Sequence, residues 1–447
     1  MPSLSRRDAL RLIGLAGATS VAGCGSLGLE TGPNEQPPDA LGTSWSPPAD
    51  GWHFQYADLQ NTARSPHGIR TRPTVEWQDR NDFGRADAPI SSDLVAATPD
   101  QVITADRFDR ELELRAHDAA DGTLRWHRRI QYSGGHRTPR FGGLADGTLS
   151  VTDGGTDVLA VDVADGTVRW RRNLYDRVAD SVPDKFLSPS DSKADFLPLP
   201  MTTPETVYVQ SGYGVHGLAP EDGTERWRVH LGAATDEPAL DYPVGLAVTD
   251  RQVWASYGGP VRLLFGIELS DGSPEVEQTA LPLEFASNPV VTGDGEVALT
   301  HDITWATRPQ ETLAVGADGH EVRWQFPGHA GEGAAAYSSL ATDGERVFVC
   351  ASHAEPPRLV VVALRASTGK LAWVHRESLA DRDVSVGAGR EFRLCQPAVT
   401  GDSLVVGYGD APEGASGHGD IAALTRSEGR VRWRASLPVA PRHLAMT

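Results

Sequence analysis

The sequence predicts an all-β protein, a β-propeller of four-stranded antiparallel blades. Three observations carry the expectation: a recurring hairpin that ends in tryptophan, a second hairpin preceding each copy of it, and a composition rich in turn-formers. The first is seen where residues 114–126, LRAHDAADGTLRW, align with 159–170, LAVDVADGTVRW. Further copies end at Trp227, Trp324, Trp373 and Trp433, and a degenerate one near Leu269 to Gly272 lacks the tryptophan. Each reads as an alternating strand, an Asp-Gly or Thr-Gly turn that needs a permissive backbone, and a returning strand whose indole packs between units.

The second hairpin recurs at 289–299, 341–349, 398–406 and 247–254, with looser copies near 95–103, 143–151 and 201–209. Each unit therefore supplies four strands. The tryptophans at 126 and 170 stand 44 residues apart, and those at 324 and 373 stand 49 apart, close to the length of one blade. Seven units make a ring, and an extra strand around Trp77 leaves an eighth blade open. Glycine and proline, 47 and 31 of 447 residues, suit many short strands joined by tight turns.

The formal charge of −19 excludes a nucleic-acid partner, because holding a polyanion takes clustered basic residues that neutralise phosphates. Lys185, Lys193 and Lys370 are the lysines, and every other basic residue is arginine. This acidic, lysine-poor composition resembles proteins of salt-loving archaea.

Residues 1–24 read as a targeting segment. Arg6-Arg7 precede a short run of small and apolar residues that ends in Val21-Ala22-Gly23-Cys24. The whole resembles a twin-arginine lipoprotein signal, with the last four residues as lipobox and Cys24 as the lipid acceptor. Residues 25–50, broken by Pro37-Pro38 and Pro47-Pro48, read as a disordered tether, and 51–440 as the propeller. The expected location is the outer side of the cell membrane, held by lipid on Cys24.

The blades resemble the PQQ-like repeat, roughly apolar-x-Ala-x-Asp-x-x-Thr-Gly-x-x-x-Trp. Quinoprotein dehydrogenases share this repeat with the barrel-assembly lipoprotein of bacterial outer membranes. Trp52 to Thr62, followed by Val75-Glu-Trp77, is similar to the opening of many such proteins. The resemblance implies the fold and leaves the activity open, because one fold hosts unrelated functions.

In such blades the hairpins joining strands one to two and three to four share one face, and here they are uniformly short. The other connections hold nearly every long segment, including 131–140, 174–200, 302–311, 377–393 and 409–420. Loops elaborated on one side of a rigid scaffold mark a ligand face. The candidate contacts there are Arg107, Arg137, Arg140, Tyr257, His301, Asp302, Trp305, His353, Glu355, Asp410 and His418.

No complete catalytic constellation stands out. His301 beside Asp302 could serve acid–base work or simply end a strand. Glu413, His418 and Asp420 could hold a cation, but their glycine-rich run argues against it, and no metal is expected. Cys350 and Cys395 either bridge or pack as small apolar residues, and no metal-type or haem-type cysteine spacing exists. The reading is a membrane-anchored binding or scaffold module for a protein, peptide or glycan, with no cofactor. The alternative is a PQQ-dependent dehydrogenase, although the adjacent cysteine pair that the family's alcohol-oxidising members set beside the quinone is missing here.

Overall fold

A computed structural model describes residues 29–31 and most of 38–445. The stretches 1–28, 32–37, 79–90, 132–138, 175–198, 232–239, 301–311, 327–333, 381–389, 413–418 and several shorter ones lie outside that description. The chain forms seven four-stranded antiparallel sheets in sequence order, a seven-bladed propeller. Blades 1 to 7 span residues 91–131, 141–173, 199–230, 243–280, 290–326, 334–378 and 390–437. Within each, strands pair in the order first to fourth; the first strand of blade 6 is broken into Ala334–Tyr337 and Ala341–Thr342, and that of blade 7 into Arg390–Leu394 and Ala398–Thr400.

Alternation along the strands sends apolar residues to both faces of every blade, because each blade is covered by a neighbour on either side. In blade 1, Leu112, Leu114 and Ala116 meet Leu149, Val151 and Leu159 of blade 2. In blade 6, Val347, Val349 and Ala351 face blade 5, while Phe348 and Cys350 face blade 7.

The recurring tryptophans tie consecutive blades. The Trp126 indole N–H donates to Val163 O (2.8 Å), Trp170 to Pro220 O (2.7 Å), Trp324 to Ala366 O (2.5 Å) and Trp373 to Arg426 O (2.9 Å), each carbonyl lying at the last hairpin of the next blade. The glycine of that hairpin lies flat against the same ring. At Gly166 and Gly223 φ is +76° and +70°, and a Cβ would fall within 2.6 Å of Trp126 or Trp170. The Asp-Gly signature thus has two causes, a left-handed backbone and an indole that leaves no room for a side chain.

Blade 4 departs from this scheme. Its fourth strand Ser273–Ala280 has no tryptophan; of its fully buried aromatics, Trp254 faces blade 5 and Tyr257 and Phe265 face blade 3.

The N-terminal segment organises the axis. Trp52 exchanges hydrogen bonds with Ala97 of blade 1, and His53 O accepts from Leu144 N of blade 2. Then Leu59 O, Gln60 O, Thr62 O and Ala63 O accept from Val248, Val291, Thr342 and Val399 of blades 4 to 7. Residues 52–63 therefore visit six of the seven blades in turn, each time beside the first hairpin. Ala57, Asn61 and Ala63 hold φ of 74°, 57° and 52° to make this circuit, conformations that cost non-glycine residues about 1 kcal/mol or more each. Contacts over-determine them. Asn61 Nδ2 donates to Leu246 O (2.6 Å) and Pro289 O (2.8 Å), and Asp58 accepts from Gln60 N, Thr62 N and the Thr62 hydroxyl.

Beyond Ala63 the chain turns outward between blades 7 and 1. Arg64–Ser65 pairs in parallel with Val399 and Thr400. Trp433 of blade 7 then donates to Ile69 O (3.4 Å), and Trp77 donates to Ala119 O of blade 1 (2.9 Å) against Gly122. The extra strand expected around Trp77 is thus a single pass of chain that fills the seam of a seven-bladed ring and offers blade 1 the indole that a preceding blade would have offered. Within the span read as tether, Leu29–Thr31 adds an edge strand to Glu225–His230 of blade 3, while Leu41 is buried and Thr43 N donates to Thr249 O. Backbone pairing, the buried Leu41 and the ring of Trp45, which meets Phe54 edge-on at 6.3 Å, hold that stretch to the domain.

Candidate functional site

The segment around Trp52 to Ala63 bonds beside the first hairpins, and the first strands start at the opposite face, that of the long connections. There the starts of the first strands of blades 2 to 4 and the loop before blade 5 surround a depression of about 510 Å³. Phe54 and Asn61 of the circuit line it together with Arg140, Pro200, Met201 and Asn288. Arg140 is exposed at the rim. A cup with an apolar floor, an amide and one cation is suited to a chain segment or small polar ligand.

Of the sequence candidates among the described residues, Arg140 alone lines this cup. Arg107, Tyr257, His353 and Asp410 each lie at or near the outgoing end of a second strand, in blades 1, 4, 6 and 7, which is the layer that the long connections border. Tyr257 is corrected from ligand contact to core. It is fully buried, and its hydroxyl donates to Ser211 O (2.9 Å), tying blade 4 to blade 3, while burial holds its phenol above the ordinary range. Arg137, His301, Asp302, Trp305, Glu355 and His418 lie outside the described residues, as does Cys24. Of the possible cation ligands, Asp420 is 4% exposed and accepts from the Ser436 hydroxyl (2.7 Å), and among the described residues no cluster of three metal-ligating side chains occurs.

Cys350 and Cys395 are free thiols. Both are buried, and burial pushes each up to about 12, which marks them as packing residues rather than nucleophiles. The adjacent cysteine pair that the resemblance implies for alcohol-oxidising quinoproteins has no counterpart in these two thiols, which belong to different blades.

Sequence reasoning missed one constellation. Ser211 Oγ lies 2.9 Å from His216 Nε2, and His216 Nδ1 lies 2.7 Å from Glu225 Oε1, the composition of a serine–histidine–carboxylate relay. The three sit on neighbouring strands of blade 3, at positions with no elbow motif to announce them. Ser211 and His216 are both fully buried, and Ser211 Oγ also accepts from Tyr213 N (3.2 Å). A hydroxyl without solvent access cannot meet an acyl group, so the relay is a satisfied core network.

Blade 1 carries a second buried polar set on the side turned toward the seam. Arg115, 2% exposed, pairs with Asp106 and with Glu113 (3.0 Å), Arg129 reaches Glu113 (3.2 Å), and the Trp77 ring stacks on His117 at 5.9 Å.

The family profile described as outer membrane protein assembly factor BamB matches residues 110–281 and 214–446. BamB from Moraxella catarrhalis is 16% identical over 69% of this chain and 78% of its own, with a TM-score of 0.44. Quinohemoprotein alcohol dehydrogenase from Comamonas testosteroni is 10% identical over 88% of this chain and 74% of its own, with a TM-score of 0.53. Apo AztD from Citrobacter koseri is 10% identical over 78% and 86%, with a TM-score of 0.44. At these identities the likeness extends to the fold alone. No curated protein matches the sequence.

Proposed function

Since the chain belongs to the family described as outer membrane protein assembly factor BamB, we propose that it is an exported propeller, anchored through lipid on Cys24, that binds a protein, peptide or glycan on its long-connection face. One observation carries the reading: the cup lined by Phe54, Asn61 and Arg140 is ringed by the starts of the first strands, which border the long connections, while Trp52, His53 and Leu59 to Ala63 bond beside the first hairpins at the opposite ends of those strands. A face with long connections, a rigid floor and an exposed arginine is built for docking rather than turnover. Anchoring is supported by the Cys24 lipobox and by Leu29–Thr31, which binds the edge of blade 3 a few residues downstream. The acidic, lysine-poor surface fits an archaeon of salty habitats.

The test is crosslinking and co-purification from intact membranes, comparing the wild type with Arg140→Glu, with a chain shortened within 175–198 and 381–389, and with Cys24→Ser. The expected result is a partner lost from the first two variants and a protein released from membranes in the third. An unchanged set of co-purifying proteins would overturn the choice of face. A quinone absorbance in the purified protein would favour the dehydrogenase alternative.

A further inference from the structure

At the edge of the same face, between blades 5 and 6, His353, Arg358 and Arg376 gather without a carboxylate among the described residues. His353 lies on the second strand of blade 6, Arg346–Ala354, and pairs in register with Arg358, which in turn pairs with Ser378. Alternation puts His353, Arg358 and Arg376 on one side of the blade, the side that Val349, Ala351 and Val374 turn toward blade 5.

Arg358 Nη2 donates to His353 Nδ1 at 3.4 Å. That ring nitrogen is therefore the acceptor, and Nε2 carries the proton. His353 is 1% exposed, and among the described residues its Nε2 has no hydrogen-bond partner and neither has the buried Nε of Arg358. Arg376 is exposed on the fourth strand and forms no ion pair among the described residues. From blade 5, Thr312 and Phe326 face this level, and neither carries a charge.

Elsewhere the buried or half-buried arginines of the same layer find carboxylates: Arg115 with Asp106 and Glu113, Arg228 with Glu225, and Arg434 with Glu377. Half-buried Arg358 and exposed Arg376 pair with no carboxylate among the described residues, in a chain with 60 acidic and 41 basic residues. Leaving a buried N–H unsatisfied costs about 1–3 kcal/mol.

We propose that His353, Arg358 and Arg376 form a binding site for an oxyanion, a carboxylate or phosphate group, that enters from the long-connection face. Nε2–H of His353 and Nε–H of Arg358 form the floor, and the exposed Arg376 guanidinium closes over the bound group. Arginine offers paired donors that match either oxyanion, and charge-assisted bonds of this type are roughly twice as strong as neutral ones. Burial, with the two arginine charges, keeps the imidazole below its ordinary range, so the ring is a neutral donor until an anion arrives. The site goes beyond the docking role and stands without it, because a free anion suffices to fill it.

The experiment is calorimetric titration of the full-length protein with sodium phosphate and, separately, sodium acetate, at fixed ionic strength set with chloride. Saturable binding of at least one anion is expected, weakened about tenfold or more in Arg376→Gln. Arg128→Gln, on the outer strand of blade 1, should leave binding unchanged. Tighter phosphate binding assigns the group as a phosphate, and tighter acetate binding as a carboxylate. Arg358→Gln should behave as Arg376→Gln does. If circular dichroism shows that it fails to fold, the exposed Arg376 variant decides alone. Absence of saturable binding by either anion, or equal affinity in wild type and Arg376→Gln, overturns the site. Neither result touches the crosslinking test of the docking face, so the two readings fail separately.

Discussion

The junction between blades 1 and 2 and the seam between blades 7 and 1 solve one problem in different ways. At the junction, leucines and valines of both sheets interdigitate, and Trp126 docks on the next hairpin through a 2.8 Å hydrogen bond and a glycine that lies flat on its ring. At the seam, blade 1 turns Asp106, Glu113, Arg115 and His117 toward a single pass of chain, and Trp77, only half-buried, takes the place of a blade's tryptophan. A repeat can bury its side only against another repeat. Where the ring joins its two ends, sequence without a repeat must do so, and polar groups satisfied within one blade relieve the need for a matching surface.

The contrast is testable first through the indoles. Trp170→Ala, which empties a 6%-exposed position, should cost about 3–5 kcal/mol, whereas Trp77→Ala should cost about half as much. Urea unfolding followed by circular dichroism would measure both. Equal losses would mean that the seam is packed as a blade junction is.

The seam's polar network comes next. Arg115→Met should destabilise by about 3 kcal/mol, because it removes the buried guanidinium that pairs with both Asp106 and Glu113. Adding Asp106→Asn should recover part of the loss. A double variant no better than the single would show that the arginine acts by packing and not by charge.

Backbone room follows. At Gly223, with φ +70° and Trp170 within 2.6 Å of any Cβ, Gly223→Ala should cost about 2 kcal/mol. At the seam Gly68 has open space around it, and Gly68→Ala should fall within about 0.5 kcal/mol of wild type. Thermal midpoints would order the two.

The same contrast explains what the sequence made legible. Blade turns and docking tryptophans are local patterns that repeat, so Asp-Gly and the indole four residues later disclose both strands and their pairing. The circuit of residues 52–63 repeats nothing. Each of its carbonyls serves a different blade, and its turns use Ala57, Asn61 and Ala63 rather than glycine, so no composition announces it. His353 was legible as a polar residue at a strand end, but its role depends on Arg358 and Arg376, which the ladder brings beside it. The Ser211, His216 and Glu225 network was invisible for the same reason. Conversely, Tyr257 read as a surface contact because a strand-end tyrosine beside glycines resembles a loop residue, yet its ring packs into the core between blades 3 and 4.

The smallest effect concerns the turns that present those glycines to the indoles. Asp162 accepts from Ala164 N (2.9 Å) and pairs with Arg169 (2.8 Å), and these bonds hold its carboxyl below the ordinary 3.8. Asp118 and Asp222 are held low in the same way, by Arg125 and Ala120 N–H and by Thr224 respectively. The folded state therefore releases these protons more readily than the unfolded chain. The stability they contribute is fully present above about pH 4 and is lost as the pH falls through their lowered folded values. Asp162→Asn keeps the acceptor for Ala164 N–H and removes the titration. The variant should be slightly less stable than wild type at neutral pH, with the gap closing as the pH falls through the lowered folded value of Asp162, which unfolding midpoints at neutral and at acid pH would measure. A constant gap at both would place the contribution of Asp162 in turn geometry alone and leave its charge without effect on how the hairpin meets Trp126.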